Sequence, residues 1–127
     1  MTEDRPSQVS AAVSLMWGIW AAGLLYVLVI NSNYIKSSGL PAIAIVIALG
    51  ALNVLLIYNV ARGRNWARVT YLILFIMDLP AIPKIVLPMF SRSVVFGMLN
   101  LGAHVVRLVV ICLLFTKPSS NWFRRTA

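Results

Sequence analysis

Few residues in this chain carry side chains able to do chemistry, and most of those lie inside long apolar runs. Asn100, His104 and Arg107 are spaced i, i+4 and i+7, so a helix places them on one face, which Ser93 and Gly97 extend. Asp78 is the single acidic residue beyond Glu3 and Asp4. At 1.5 Å of rise per residue, Arg107 lies about 15 Å from Lys117, Asp78 about 15 Å from Arg68, and Asn53 about 14 Å from Arg62. On neighbouring antiparallel helices these depths coincide. The expectation is a buried polar cluster of Asp78, His104 and Arg107, with Asn53 and Asn100 at its edges.

Two kinds of chemistry suit such a cluster. A carboxylate beside a guanidinium offsets a charge whose insertion at a bilayer centre costs about 2.5–3.5 kcal/mol. A histidine beside a carboxylate titrates near neutral pH, as a proton or ligand site requires. The simpler role is structural: polar residues set the register of otherwise uniformly apolar helices, and Arg107 reaches toward the membrane surface along its own stem. Catalysis has less to draw on. There are no paired carboxylates, no metal-ligand spacing and no glycine-rich phosphate loop. His104 and Cys112 are eight residues apart, about 12 Å along a helix, too far for a base and its nucleophile. No enzymatic activity, cofactor or metal is expected.

The elements that position these residues follow from composition. Of 127 residues, 61% are hydrophobic and 11% are charged, against about 45–50% and 25% in ordinary soluble domains. So small a soluble fold has too little interior for that much apolar surface. Apolar runs at about 9–30, 40–60, 66–90 and 94–116 read as four spans of one membrane domain, 1–127, since a crossing takes about 20 apolar residues. The first run follows a leader of mixed charge and lacks a small-residue cleavage site, so it reads as a retained anchor rather than a signal peptide. The third run is clean only to Met77. It then meets Asp78, Pro80, Pro83 and Pro88, so the helix is expected to kink or break after Asp78. The preferred reading of 80–88 is an exit loop on the outer surface; a broken helix at a binding site is the sharper one.

The net charge of +8 does not form a nucleic-acid patch, because the basic residues flank the apolar runs. Arg5, Arg62, Arg64, Arg68, Lys117, Arg124 and Arg125 fall on one side, and Lys36, Lys84 and Arg92 on the other. The positive-inside rule then puts both termini in the cytoplasm. The fold class expected is an all-α integral membrane four-helix bundle with antiparallel neighbours. Trp66 and Trp122 by the inner basic clusters, and Tyr34 and Phe90 at the outer ends, read as interfacial anchors. Gly18 with Ala22, Ala44 with Ala48, and Ser93 with Gly97 are candidate close-approach points between helices.

The turn Arg62-Gly63-Arg64-Asn65-Trp66-Ala67-Arg68 sets topology and offers basic groups to anionic lipid headgroups, at about 1 kcal/mol per residue. Arg124 and Arg125 extend the same basic end. This turn, with the tail Lys117-Pro118-Ser119-Ser120-Asn121-Trp122-Phe123-Arg124-Arg125, resembles small four-span bacterial inner-membrane proteins that carry a Gly-basic-Asn-Trp-Ala-Arg turn before the third helix. The resemblance implies the four-span layout and a bacterial plasma membrane location, and it carries no residue roles across. The chain departs from the small multidrug transporters, because its first helix lacks their membrane-embedded glutamate.

Two functions remain. The first is a non-catalytic interaction protein in the bilayer, either an accessory subunit of a membrane complex or an immunity-type protein, partnered by another membrane protein or by its own copies. The second is a small oligomeric transporter or channel that uses Asp78, His104 and Arg107. A single short bundle has little room for a full pathway, which favours the first.

Overall fold

The computed structural model describes residues 5–30 and 32–126, with the side chains of all of these except Ile30, Tyr34 and Ile35. The reading of Tyr34 as an anchor therefore lies outside the described side chains. The described residues are almost entirely helical, with no strand among them. Helix α1 (Ser7–Leu25) runs into a π-helical turn, Tyr26–Ile30. Helix α2 (Ser32–Ala61) is interrupted at Gly39, whose φ of 72° belongs to the left-handed region that glycine enters without steric cost. Helix α3 (Asn65–Asp78) gives way to a 3-10 turn, Leu79–Ala81, and then to α4 (Ile82–Arg92). Extended Ser93 separates α4 from α5 (Val94–Leu114), and α6 (Lys117–Thr126) closes the chain. Four stretches are long and apolar enough to cross a membrane: Ser7–Val29, Lys36–Ala61, Asn65–Arg92 and Val94–Leu114. The chain is thus consistent with a multi-pass membrane protein.

The exit loop expected at 80–88 is instead helical. Pro80 and Pro83 each fall in the first turn of their helical segments, where the missing N–H has no intrahelical acceptor to lose. The prolines therefore punctuate the helix without ending it.

The buried core is concentrated at one end of the helices. It joins the first turns of α1 (Val9, Ala12, Val13, Met16), the last turns of α2 (Leu56, Ile57, Val60) and of α5 (Val110, Leu114), Ala67 of α3, and Trp122 and Phe123 of α6. Helix α1 packs chiefly on α5 and α2, α3 on α2 and α5, and α4 on α5. The α4–α5 approach is close at Gly97, where an added Cβ would come within 2.6 Å of the Phe90 ring. Phe90 is half-buried against Gly97 at the end of α4. Gly18 meets nothing within 4 Å and is not a close-approach point.

Two basic-end residues differ from their expected roles. Arg68 does not reach headgroups or solvent. It is buried at 8% exposure, and its Nε donates to Asn65 Oδ1 at 2.6 Å. Its Nη1 donates to the Leu114 carbonyl at 3.2 Å and to Ser120 Oγ at 3.1 Å. The guanidinium also lies over the rings of Phe115 and Phe123, at 4.9 and 4.8 Å. Trp122 is likewise buried, because α6 folds its apolar face onto the core. The last carbonyls of α5 lack intrahelical donors. Here Thr116 Oγ1 and Ser119 Oγ donate to Leu113 O at 2.9 and 2.7 Å, and Arg68 serves Leu114 O. The turn before α3 is fixed by Gly63, with φ 78°, whose carbonyl accepts from Thr126 Oγ1 at 3.0 Å.

Replacing Arg68 by Met removes donors from buried acceptors, which costs about 1–3 kcal/mol for each acceptor left unsatisfied. Arg68→Met is expected to lower the melting temperature in detergent and to speed tryptic cleavage of α6 after Arg124 and Arg125. Arg68→Lys should recover only part of the loss, since an ammonium cannot reproduce the planar fork. Wild-type melting by Arg68→Met would show that this node does not hold α6.

Candidate functional site

Asp78 stands at the middle of the apolar stretch Asn65–Arg92. Arg107 Nη1 donates to its Oδ2 at 3.1 Å. The partners come from α3 and α5, whose neighbouring side chains are apolar, so the pair is an ionic contact set among apolar residues. Pairing of this kind is what makes opposite charges tolerable at such a level.

The five residues expected as one buried cluster do not form one. Asp78 is 53% exposed and Arg107 33%, and His104, Asn100 and Asn53 are only partly covered. The cause is position. The core lies at the far ends of α3 and α5, while the neighbours of the pair, Ile76, Met77, Leu79, Val105 and Leu108, all face outward. His104 does not join the ion pair: its Nδ1 bonds the Asn100 carbonyl at 2.8 Å, one turn back on its own helix. Asn53 does the same, its Nδ2 donating to Leu49 O at 2.9 Å. Asn100 Oδ1 is buried and has no hydrogen-bond partner among the described residues.

Arg107 and Asn53 do share a space. Both line a half-open cavity of about 230 Å³ between α1, α2, α3 and α5, together with Trp20, Gly23, Gly50 and Tyr71. Gly23 and Gly50 each leave room where a side chain would otherwise fill. The cavity is apolar over most of its wall, with Asn53, Tyr71 and Arg107 as its polar residues. Tyr71 was missed in reading the sequence, although it lies seven residues before Asp78 and therefore on the same face of α3. The arrangement sets a phenol, an amide and a guanidinium around one largely apolar space. Among the described residues no three His, Cys, Asp or Glu side chains gather to hold a metal. No family model, curated protein or solved structure matches the chain.

The ion pair is testable by a double-mutant cycle. Asp78→Asn and Arg107→Leu should each destabilise the protein, and the double variant should lose less than the sum. Contacting residues couple by about 0.5–3 kcal/mol. Strict additivity in detergent unfolding would mean that the two charges act independently.

Proposed function

We propose that this chain is a non-catalytic subunit of the bacterial inner membrane, a four-helix antiparallel bundle with both termini cytoplasmic, whose role is to pack against another membrane protein. The reading covers an accessory subunit and an immunity-type protein alike. The half-exposed Asp78–Arg107 pair carries it. The pair sits midway along the stretch Asn65–Arg92, on an outward face, with 53% of the Asp78 side chain uncovered. A carboxylate facing lipid there is expensive, even when one side is paired. A partner helix bringing a donor to the free side of Asp78 removes that cost and gains specificity from it. The surrounding Ile76, Met77 and Leu79 offer the apolar rim that such a contact needs.

A second reading, a small oligomeric transporter or channel, draws on the cavity beside Arg107, Tyr71 and Asn53. Its weakness is His104, which is held by its own helix and not by Asp78.

Purification from native membranes in mild detergent separates the two. A different membrane protein in fixed stoichiometry is expected, with retention falling at least tenfold when Asp78→Leu and Arg107→Leu are combined in a chain that still folds. A homo-oligomer that mediates pH-dependent flux in proteoliposomes would overturn the subunit reading in favour of the second.

A further inference from the structure

The faces of α1 and α2 turned away from the core form an apolar groove of about 1010 Å³, and its lining is ordered by helical spacing. Trp17, Trp20 and Leu28 supply one wall. Ile43, Gly50 and Tyr58 belong to the other, which runs sixteen residues, about 22 Å from end to end. That length exceeds the roughly 15 Å of one leaflet's hydrocarbon, half of a core about 30 Å thick. Gly50 leaves the floor open, with nothing within 4 Å of an added Cβ. The two indoles meet edge to face at 5.7 Å and stiffen the wall.

One end of this groove is basic. Tyr58 is its last residue, and the Arg62 guanidinium lies 4.7 Å over the Tyr58 ring. Arg62 in turn lines an open cleft with Arg64, Asn65, Trp66 and Thr126. The side chains of Arg62, Arg64, Asn65 and Trp66 are all exposed. An apolar groove longer than one leaflet therefore ends at two exposed guanidinium groups, one of them stacked on Tyr58, an amide and an exposed indole. That is the charge and polarity profile of a lipid bearing a negative headgroup, read from tail to phosphate.

We infer that the α1–α2 groove and the Arg62–Trp66 cleft together form a binding site for an anionic glycerophospholipid. One acyl chain lies along Trp17, Trp20 and Gly50, and the phosphate is held by Arg62 and Arg64. Arg68 takes no part, since its guanidinium is committed to α5 and α6. The groove shares Trp20 and Gly50 with the cavity beside Arg107, but neither Asp78 nor Arg107 lines it, so it does not need the proposed partner contact at that pair.

The test uses the purified full chain in phosphatidylcholine nanodiscs that carry a minor fraction of either chain-brominated phosphatidylglycerol or chain-brominated phosphatidylcholine, with tryptophan emission as readout. In a Trp66→Phe background Trp17 and Trp20 report the groove, and the buried Trp122 adds a constant emission. Brominated phosphatidylglycerol is expected to quench at severalfold lower mole fraction than brominated phosphatidylcholine. Arg62→Gln and Arg64→Gln should each weaken that preference about fivefold. Gly50→Leu should reduce the quenching itself. Arg124→Gln, which removes the same charge outside the groove and cleft, should leave the preference unchanged. Equal quenching by the two lipids in the unaltered protein overturns the site and reduces the groove to ordinary annular contact. Equal weakening by Arg124→Gln and Arg62→Gln overturns it in favour of diffuse charge attraction. Both arginine positions are exposed, so these variants remain informative even where Gly50→Leu fails to fold.

Discussion

Arg68 is the point at which the separate helices become one structure. Its guanidinium takes a donor to the open C-terminus of α5, another to Ser120 of α6, and a third to Asn65 of its own helix, while two phenyl rings cover its faces. A buried arginine is costly unless its donors and its charge are both answered. Here the acceptors are a carbonyl, a hydroxyl and an amide oxygen, and the rings contribute cation–π attraction. The same contacts give the core its location. Val9, Val60, Ala67, Leu114 and Phe123 are buried around this node because α6 folds back against α1 and α5 there.

Away from that end the helices are loosely covered, and their polar residues follow another rule. Ser14, Asn53, Asn59, Ser91 and His104 each bond a carbonyl four residues earlier on their own helix. Surroundings without water leave a polar side chain few other partners. Asp78 and Arg107 have no such local recourse, since a charge needs a counter-charge. They reach between α3 and α5 for it, and they remain half-exposed because none of the described residues covers their outer side. The tight end and the open middle thus divide the molecule into a part that holds the fold and a part that presents surfaces.

Depth within each run is legible in sequence because rise per residue is fixed. Counting from Arg68 and Lys117 places Asp78 and Arg107 at a common level, and the structure has them 3.1 Å apart. Direction around the helix axis is less legible. A sequence in which nearly every position is apolar has no polar face to mark the outside, so His104 and Asn53 give no sign that they turn to their own backbones. The proline segment misleads for a related reason. Three prolines in nine residues suggest a loop, but two of them fall in first turns, where proline costs a helix little.

What the sequence by itself determined is the number, length and apolar character of the four long helices, because these depend on local composition and on the backbone's need for internal hydrogen bonds in an apolar medium. Tertiary structure alone decided that Arg68 and Trp122 are interior residues, that the core sits at one end, and that Asp78 and Arg107 form an exposed pair rather than the centre of a buried cluster. Those outcomes depend on where α6 folds back and on which face each helix turns to its neighbour. Both are set by contacts between residues distant in the chain, such as Arg68 with Leu114 and Gly63 with Thr126, and no local spacing encodes them.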